Sequence, residues 1–166
     1  MVETDVSPEN SMRALLVLAL FLCSSVTARA QSLDDAPTVY VASAYDRLVN
    51  HGDFQPPDAL YTPRLLALWQ DMRRDAGDEV GRVDFNTWTN SQDGDLSDLS
   101  IASEIIDGRE DRMIVTTRFM NLGEAQTIRF YFEKGEAGWR LDDMESAGAE
   151  PWTLSLLLKY GSAMKD

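Results

Sequence analysis

The residues that could do chemistry gather in one polar, aromatic stretch, VDFNTWTNSQD (Val83–Asp93), and in one short strand-like segment, GWRLDDM (Gly138–Met144). The first supplies Asp84, Trp88, Asn90, Gln92 and Asp93, and the second supplies Asp143. Carboxylates of this kind serve as general bases when burial or a neighbour tunes them. Asn and Gln amides are directional hydrogen-bonding groups, and an indole adds a broad stacking face. Trp88 sits between Thr87 and Thr89 in a stretch without hydrophobic periodicity. Two placements follow for it: a recognition surface, or a loop folded onto a sheet with its amides satisfying backbone groups. The other tryptophans, Trp69, Trp139 and Trp152, and Tyr40, Tyr45 and Tyr131 are further candidates to line a pocket, with Trp69 and Trp139 spaced as core residues.

Complete catalytic sets are missing. A Ser-His-Asp arrangement needs an imidazole base, and the chain has one histidine, His51, immediately before Gly52. That position suits the carboxyl end of a helix, where a cation is favourable. One His and one Cys do not make a zinc site. Asp93-Gly94-Asp95-Leu96-Ser97-Asp98 and Glu104 partly match a calcium loop, but the sixth position, where a sharp turn needs Gly, is Asp98. The segment reads as an acidic turn entering a strand. No metal or cofactor is expected. Strict alternation along Trp139–Met144 places Trp139, Leu141 and Asp143 on one face and Arg140, Asp142 and Met144 on the other. Asp143 then shares the core-facing side with Trp139 and Leu141, and Arg140 and Asp142 form a structural pair.

The elements that must position these residues are legible from spacing. Val41, Tyr45, Leu48 and Val49 recur at helical intervals after Asp35 and Pro37, and Gly52 ends that helix. Thr62-Pro63 opens a second helix with Leu65, Leu68, Trp69 and Met72 on its apolar face, stopped by Gly77. Val83–Asp98 is rich in Asn, Asp, Ser and Gly and reads as a loop. Strands follow: Leu99–Ile105, then Met113–Met120 after a turn at Asp107–Arg112, then Thr127–Glu133 after a turn at Asn121–Glu124. In the last of these Ile128, Phe130 and Phe132 face inward and Arg129, Tyr131 and Glu133 outward. A turn at Lys134–Gly138 leads to Trp139–Met144, and Glu150-Pro151 opens a final helix carrying Leu154, Leu157 and Leu158. Helices grouped before and after an antiparallel run predict an α+β fold with the helices on one face of a curved sheet.

The chain has 166 residues, enough for one domain and its core. The segment from Met12-Arg13 through the apolar run Ala14–Leu22 to Ala28-Arg29-Ala30 has the layout of a secretory signal cleaved after Ala30. The apolar run is shorter than the roughly 20 residues that span a bilayer. Residues 1–11 are acidic and precede a second Met, which points to Met12 as the true start. Cys23 falls inside the apolar run, so the exported domain, residues 31–166, contains no cysteine and no disulfide framework. The whole chain has 28 Asp+Glu against 15 Lys+Arg; loss of Glu3, Asp5, Glu9, Arg13 and Arg29 leaves 25 against 13, a net charge of −12. Such a surface repels nucleic-acid phosphates and anionic headgroups. A periplasmic or secreted location is expected, with a small ligand or an envelope protein as partner.

Asp84-Phe85, Trp88, Asn90, Gln92-Asp93 and Gly138-Trp139-Arg140-Leu141-Asp142-Asp143 together resemble bacterial envelope domains of the DUF3828 type, which look like relatives of the NTF2-like and cystatin-like folds. In those domains an Asp-Phe-Asp-Pro-aromatic segment ending in Gln-Asp precedes the strands, and a Gly-Trp-Arg strand precedes the last helix. Here Asn86-Thr87 stands where Asp-Pro is common. The resemblance covers Tyr40–Tyr160. It implies a cystatin-like fold and an envelope location, and it carries over no catalytic residue. The expected function is a non-enzymatic ligand- or protein-binding module. The alternatives are an isomerase or hydrolase with Asp84, Asp93 or Asp143 as base, and an inhibitor or immunity-type protein acting on a basic enzyme.

Overall fold

A computed structural model describes residues 37–52, 54–148 and 150–161. The signal segment, the second start at Met12, Cys23 and the Asp35 cap lie outside the described residues. Helix α1 (Pro37–His51) and helix α2 (Pro63–Ala76) flank a short 3-10 turn at Asp58–Leu60. Strands β1 (Leu96–Ile106), β2 (Arg109–Asn121), β3 (Glu124–Gly135), β4 (Gly138–Ser146) and β5 (Trp152–Thr153) come next, and helix α3 (Leu154–Tyr160) closes the order. The strands form one antiparallel sheet in the order β1-β2-β3-β4-β5. The α+β arrangement expected from the sequence is therefore present.

Local chemistry explains the boundaries. Thr62 caps α2 by accepting from the Leu65 amide at 3.3 Å, and Pro63 sits where its missing N–H costs nothing. Gly52 ends α1 with φ +74°, a conformation that favours glycine, and donates its amide to the Leu48 carbonyl. The β2–β3 hairpin turns through Leu122-Gly123 with both φ angles positive, the geometry that matches strand twist.

The core lies between the helices and one face of the sheet. Helix α1 packs on β1 and β2, while α2 and α3 pack on β4. Val41, Ala44, Tyr45 and Leu48 enter from α1; Val115, Thr117 and Phe119 from β2; Ile128, Phe130 and Phe132 from β3. The opposite face is polar, with Arg129 bonded to Glu145 at 2.6 Å and Arg112 paired with Glu133 at 3.0 Å.

Four expectations change. Val49, grouped with the apolar face of α1, is 52% exposed because the stripe turns through Ala44 instead. Strand β1 begins at Leu96, inside the expected loop, because Asn121 of β2 bonds the Asp95 amide and draws the segment into the sheet. The turn expected at Asp107–Arg112 tightens to Asp107-Gly108, with Gly108 at φ +72°. The last helix starts at Leu154 rather than at Glu150-Pro151, because Trp152–Thr153 pairs with β4 first.

Candidate functional site

The stretch Val83–Asp93 folds on itself before it meets anything else. The Asn86 side chain accepts from the Trp88 amide at 2.9 Å, and the Asn86 amide donates to the Ser91 carbonyl at 3.0 Å. Asn90 takes φ +55°, a conformation Asn tolerates better than most residues. This tight knot drives the Trp88 ring inward. The ring is 2% exposed and packs against Phe130 (centroids 4.6 Å), Phe54 (4.8 Å) and Tyr45 (6.0 Å). Tyr45, itself fully buried, donates its hydroxyl to the Trp88 carbonyl at 2.6 Å and lies 2.9 Å from the Thr117 hydroxyl. Burial pushes the Tyr45 phenol well above the usual range. Asn121 of β2 completes the anchor by donating to the Thr89 carbonyl and the Ser91 hydroxyl, each at 3.0 Å. Of the two placements open to Trp88, the structure shows the loop folded onto the sheet: three aromatic side chains from α1, the Phe54 loop and β3 form its slot.

The anchored loop is a wall between two clefts, and Phe85 borders both. The larger cleft, about 970 Å³, is lined by Phe85, Ala125, Pro151, Trp152, Leu156 and Leu157, with Asn90, Gln126, Ser146 and Thr153 as polar members. Its acidic members are Glu124, Glu145 and Glu150, and no Lys, Arg or His lies among its lining residues. Trp152 donates its indole N–H to the Asn90 side-chain oxygen at 2.6 Å, and the Asn90 amide donates to Gln126 Oε1 at 3.0 Å. The Phe85 and Trp152 rings meet edge to face, with centroids 5.7 Å apart. The wall is therefore held in place before any ligand arrives.

The smaller cleft, about 500 Å³, lies between α2 and the other side of the loop, with Phe54, Tyr61, Trp69, Arg73, Asp84, Trp88 and Gln92 in its lining. Tyr61 and Tyr40 are shifted upward by burial, Tyr40 to about 12.

The sequence-derived residues do not converge on one site. Asp84, Trp88 and Gln92 border the smaller cleft, Asn90 the larger, and Asp93 a third hollow of about 150 Å³ beside Gly94 and Leu96. Gln92 donates to the Asp84 carbonyl at 3.3 Å on the surface. Asp93 contributes its backbone carbonyl to Ser91 and Asn121.

Asp143 stands apart from all three hollows. Its Oδ1 accepts from the Met144 amide at 2.9 Å and from the Ser155 amide, in the first turn of α3, at 3.0 Å. The expected alternation fails here because β4 carries a bulge: Tyr131 faces Asp143, but Phe132 faces Leu141. Trp139, Leu141, Met144 and Ser146 are the inward residues. Nor do Arg140 and Asp142 pair. Arg140 donates to the Ala59 carbonyl at 2.8 Å, and Asp142 receives Thr62, Arg64 and Arg112.

Gln126 and Leu156 are cleft residues that the sequence did not single out, and Phe85 entered only through the family resemblance. Leu156 has one visible signal: it departs from the Leu154, Leu157, Leu158 stripe of α3 and is exposed.

No family model matches the chain, and no curated protein matches it. The chain is similar to a solved structure of a phospholipid-binding protein from Ralstonia solanacearum in complex with a phospholipid. The identity is 17%, the match covers 76% of this chain and 74% of that chain, and the TM-score is 0.34. At that level the likeness assigns neither a fold family nor a ligand.

Proposed function

We propose that this protein is a non-enzymatic binding module whose larger cleft takes a small amphipathic ligand, apolar along its length and neutral or cationic at its polar end. The carrying observation is the preformed wall: Trp152, Asn90 and Gln126 are locked in a hydrogen-bonded chain beside a space of about 970 Å³. Small-molecule sites are concave, largely apolar and furnished with a few fixed polar groups. Preorganisation of this kind lowers the ordering cost of binding. The acidic lining opposes an anionic headgroup and favours a cation, which the Trp152 ring face also attracts. The cystatin-like or NTF2-like relationship, and an envelope setting in which the ligand is met, remain part of this proposal; the signal-like segment and the DUF3828 resemblance support them.

The test is isothermal titration calorimetry with three octyl amphiphiles below their micellar concentrations: octyltrimethylammonium, octyl glucoside and octyl sulfate. The cationic and neutral compounds bind, and the sulfate binds at least tenfold more weakly. Leu156→Asn, at an exposed cleft position, removes apolar contact without adding charge and weakens binding without changing the melting temperature. Equal affinity for all three compounds, or heats unchanged in Leu156→Asn, would overturn this assignment.

A further inference from the structure

Strand β1 ends the sheet, and among the described residues no strand pairs with its outer edge. Edge strands of soluble proteins are usually guarded by Lys, Pro, inward charges, bulges or brevity. Strand β1 has 11 residues, LSDLSIASEII, with no Lys, Arg or Pro. One irregularity interrupts its pairing with β2 between Ser97 and Ser100, and a second lies between Ile105 and Ile106. Ser100–Ile105 is therefore a regular, open ladder. Ile105 is 50% exposed although its β2 neighbours Met113 and Val115 are half-buried and buried.

We infer that this edge pairs with the β1 edge of a second copy, antiparallel, about a two-fold axis through Ser103. In an antiparallel ladder facing residues share the same hydrogen-bonding phase, so the axis of two identical strands passes through a residue. Charge removes two choices: an axis at Ile101 sets Asp98 opposite Glu104, and an axis at Glu104 sets Glu104 opposite itself. Axes at Ser100 and Ile105 carry half of the pairing out of the regular ladder, into the interrupted stretch or the Asp107-Gly108 turn, so apolar pairing decides between Ala102 and Ser103. An axis at Ala102 faces Ile101 with Ser103 and leaves Ile105 opposite Leu99 in the interrupted stretch. An axis at Ser103 faces Ile101 with Ile105 twice, on the helix-bearing side, and faces Glu104 with Ala102 on the other. In that one register no like charges face each other and the exposed Ile105 meets Ile101 across the axis. Each copy carries a net charge of −13, so the pair forms against repulsion and tightens as salt screens it.

Sedimentation equilibrium on the full chain tests this. The weight-average mass rises with concentration toward twice the monomer value, and the association is stronger in about 0.5 M than in about 0.05 M NaCl. Ile105→Lys, with an unchanged circular dichroism spectrum, weakens it at least tenfold. A second measurement does not depend on that variant folding. In a Cys23→Ser background, Ser103→Cys forms an intermolecular disulfide under copper–phenanthroline faster than Ala102→Cys or the surface control Asp78→Cys. Facing Cα atoms in such a ladder lie about 4.5–5.5 Å apart, within disulfide reach. A monomer at every concentration in both salts overturns the inference. So does cross-linking at Ser103→Cys no faster than at Asp78→Cys. Capture of a basic strand peptide by a monomer, lost in Ile105→Lys, would give the edge to a foreign partner and overturn self-pairing.

Discussion

Tyr45 does more at the single-residue level than any member of the polar stretch it anchors. Its hydroxyl serves the Trp88 carbonyl and the Thr117 hydroxyl in a fully buried setting. Tyr45→Phe leaves the Trp88 carbonyl without that donor, which costs about 1–3 kcal/mol at neutral pH, read from urea unfolding. The same variant changes the alkaline limb in the opposite sense. Burial raises Tyr45 and Tyr61, and lifts Tyr40 to about 12, while the unfolded phenols ionise near 10. A raised phenol keeps its full stabilising share below pH 10 and loses it as pH climbs from about 10 through the folded value. Wild-type stability therefore falls between pH 10 and about 12. Tyr45→Phe starts lower at pH 7 and falls less steeply. A parallel decline in both proteins would show that Tyr45 does not govern that limb.

At the scale of elements, the junction of α2, β4 and α3 rests on two adjacent carboxylates. Asp142 takes the Thr62 hydroxyl at 2.9 Å and Arg64 Nε at 3.2 Å, and Arg64 also reaches the Asp142 carbonyl. Asp143 accepts from the first turn of α3. A carboxylate there offsets the unpaired amides of a helix start. Asp143→Ala lowers stability by about 1 kcal/mol, the usual cost of losing a cap, whereas Asp143→Asn keeps most of it because the amide oxygen still accepts. The comparison also bears on the enzymatic alternative, since a base at Asp143 loses its chemistry in Asp143→Asn. Thr62→Val removes both the α2 cap and the Asp142 contact, and its cost exceeds that of Asp143→Asn in the same urea assay. The bulge in β4 sets the two acids side by side: Arg64 reaches both, Thr62 bonds Asp142, and the first turn of α3 bonds Asp143.

At the scale of the whole molecule, the described residues form a sheet with helices on one side, a divided pair of clefts beside one loop and an open edge at β1. These features respond to salt in different directions. Capture of a cationic amphiphile by the larger cleft weakens as salt rises, because the attraction to its acidic lining is screened. Edge pairing strengthens over the same range. A single salt series, with calorimetry for the first and sedimentation for the second, separates the two events. Among the described residues no helix is long and apolar enough to cross a membrane.

Local chemistry in the sequence was sufficient for α1, α2 and the central strands, but not for β5 or for the starts of β1 and α3. Thr62-Pro63, Gly52, Gly77 and the alternation of Ile128, Phe130 and Phe132 place helix ends and strand faces because each depends on neighbours within a few residues. The acidic balance and the α+β class were legible for the same reason: they are sums over the chain. The site was not. Trp88 lies in a stretch with no period, and only rings contributed by α1, the Phe54 loop and β3 draw it inside. Asp143 was displaced from its expected face by one extra residue in β4, which depends on pairing with β3. The cleft walled by Phe85, Asn90, Gln126 and Trp152 joins residues up to 67 positions apart. Periodicity carries no record of such long-range meetings; the tertiary packing decides them.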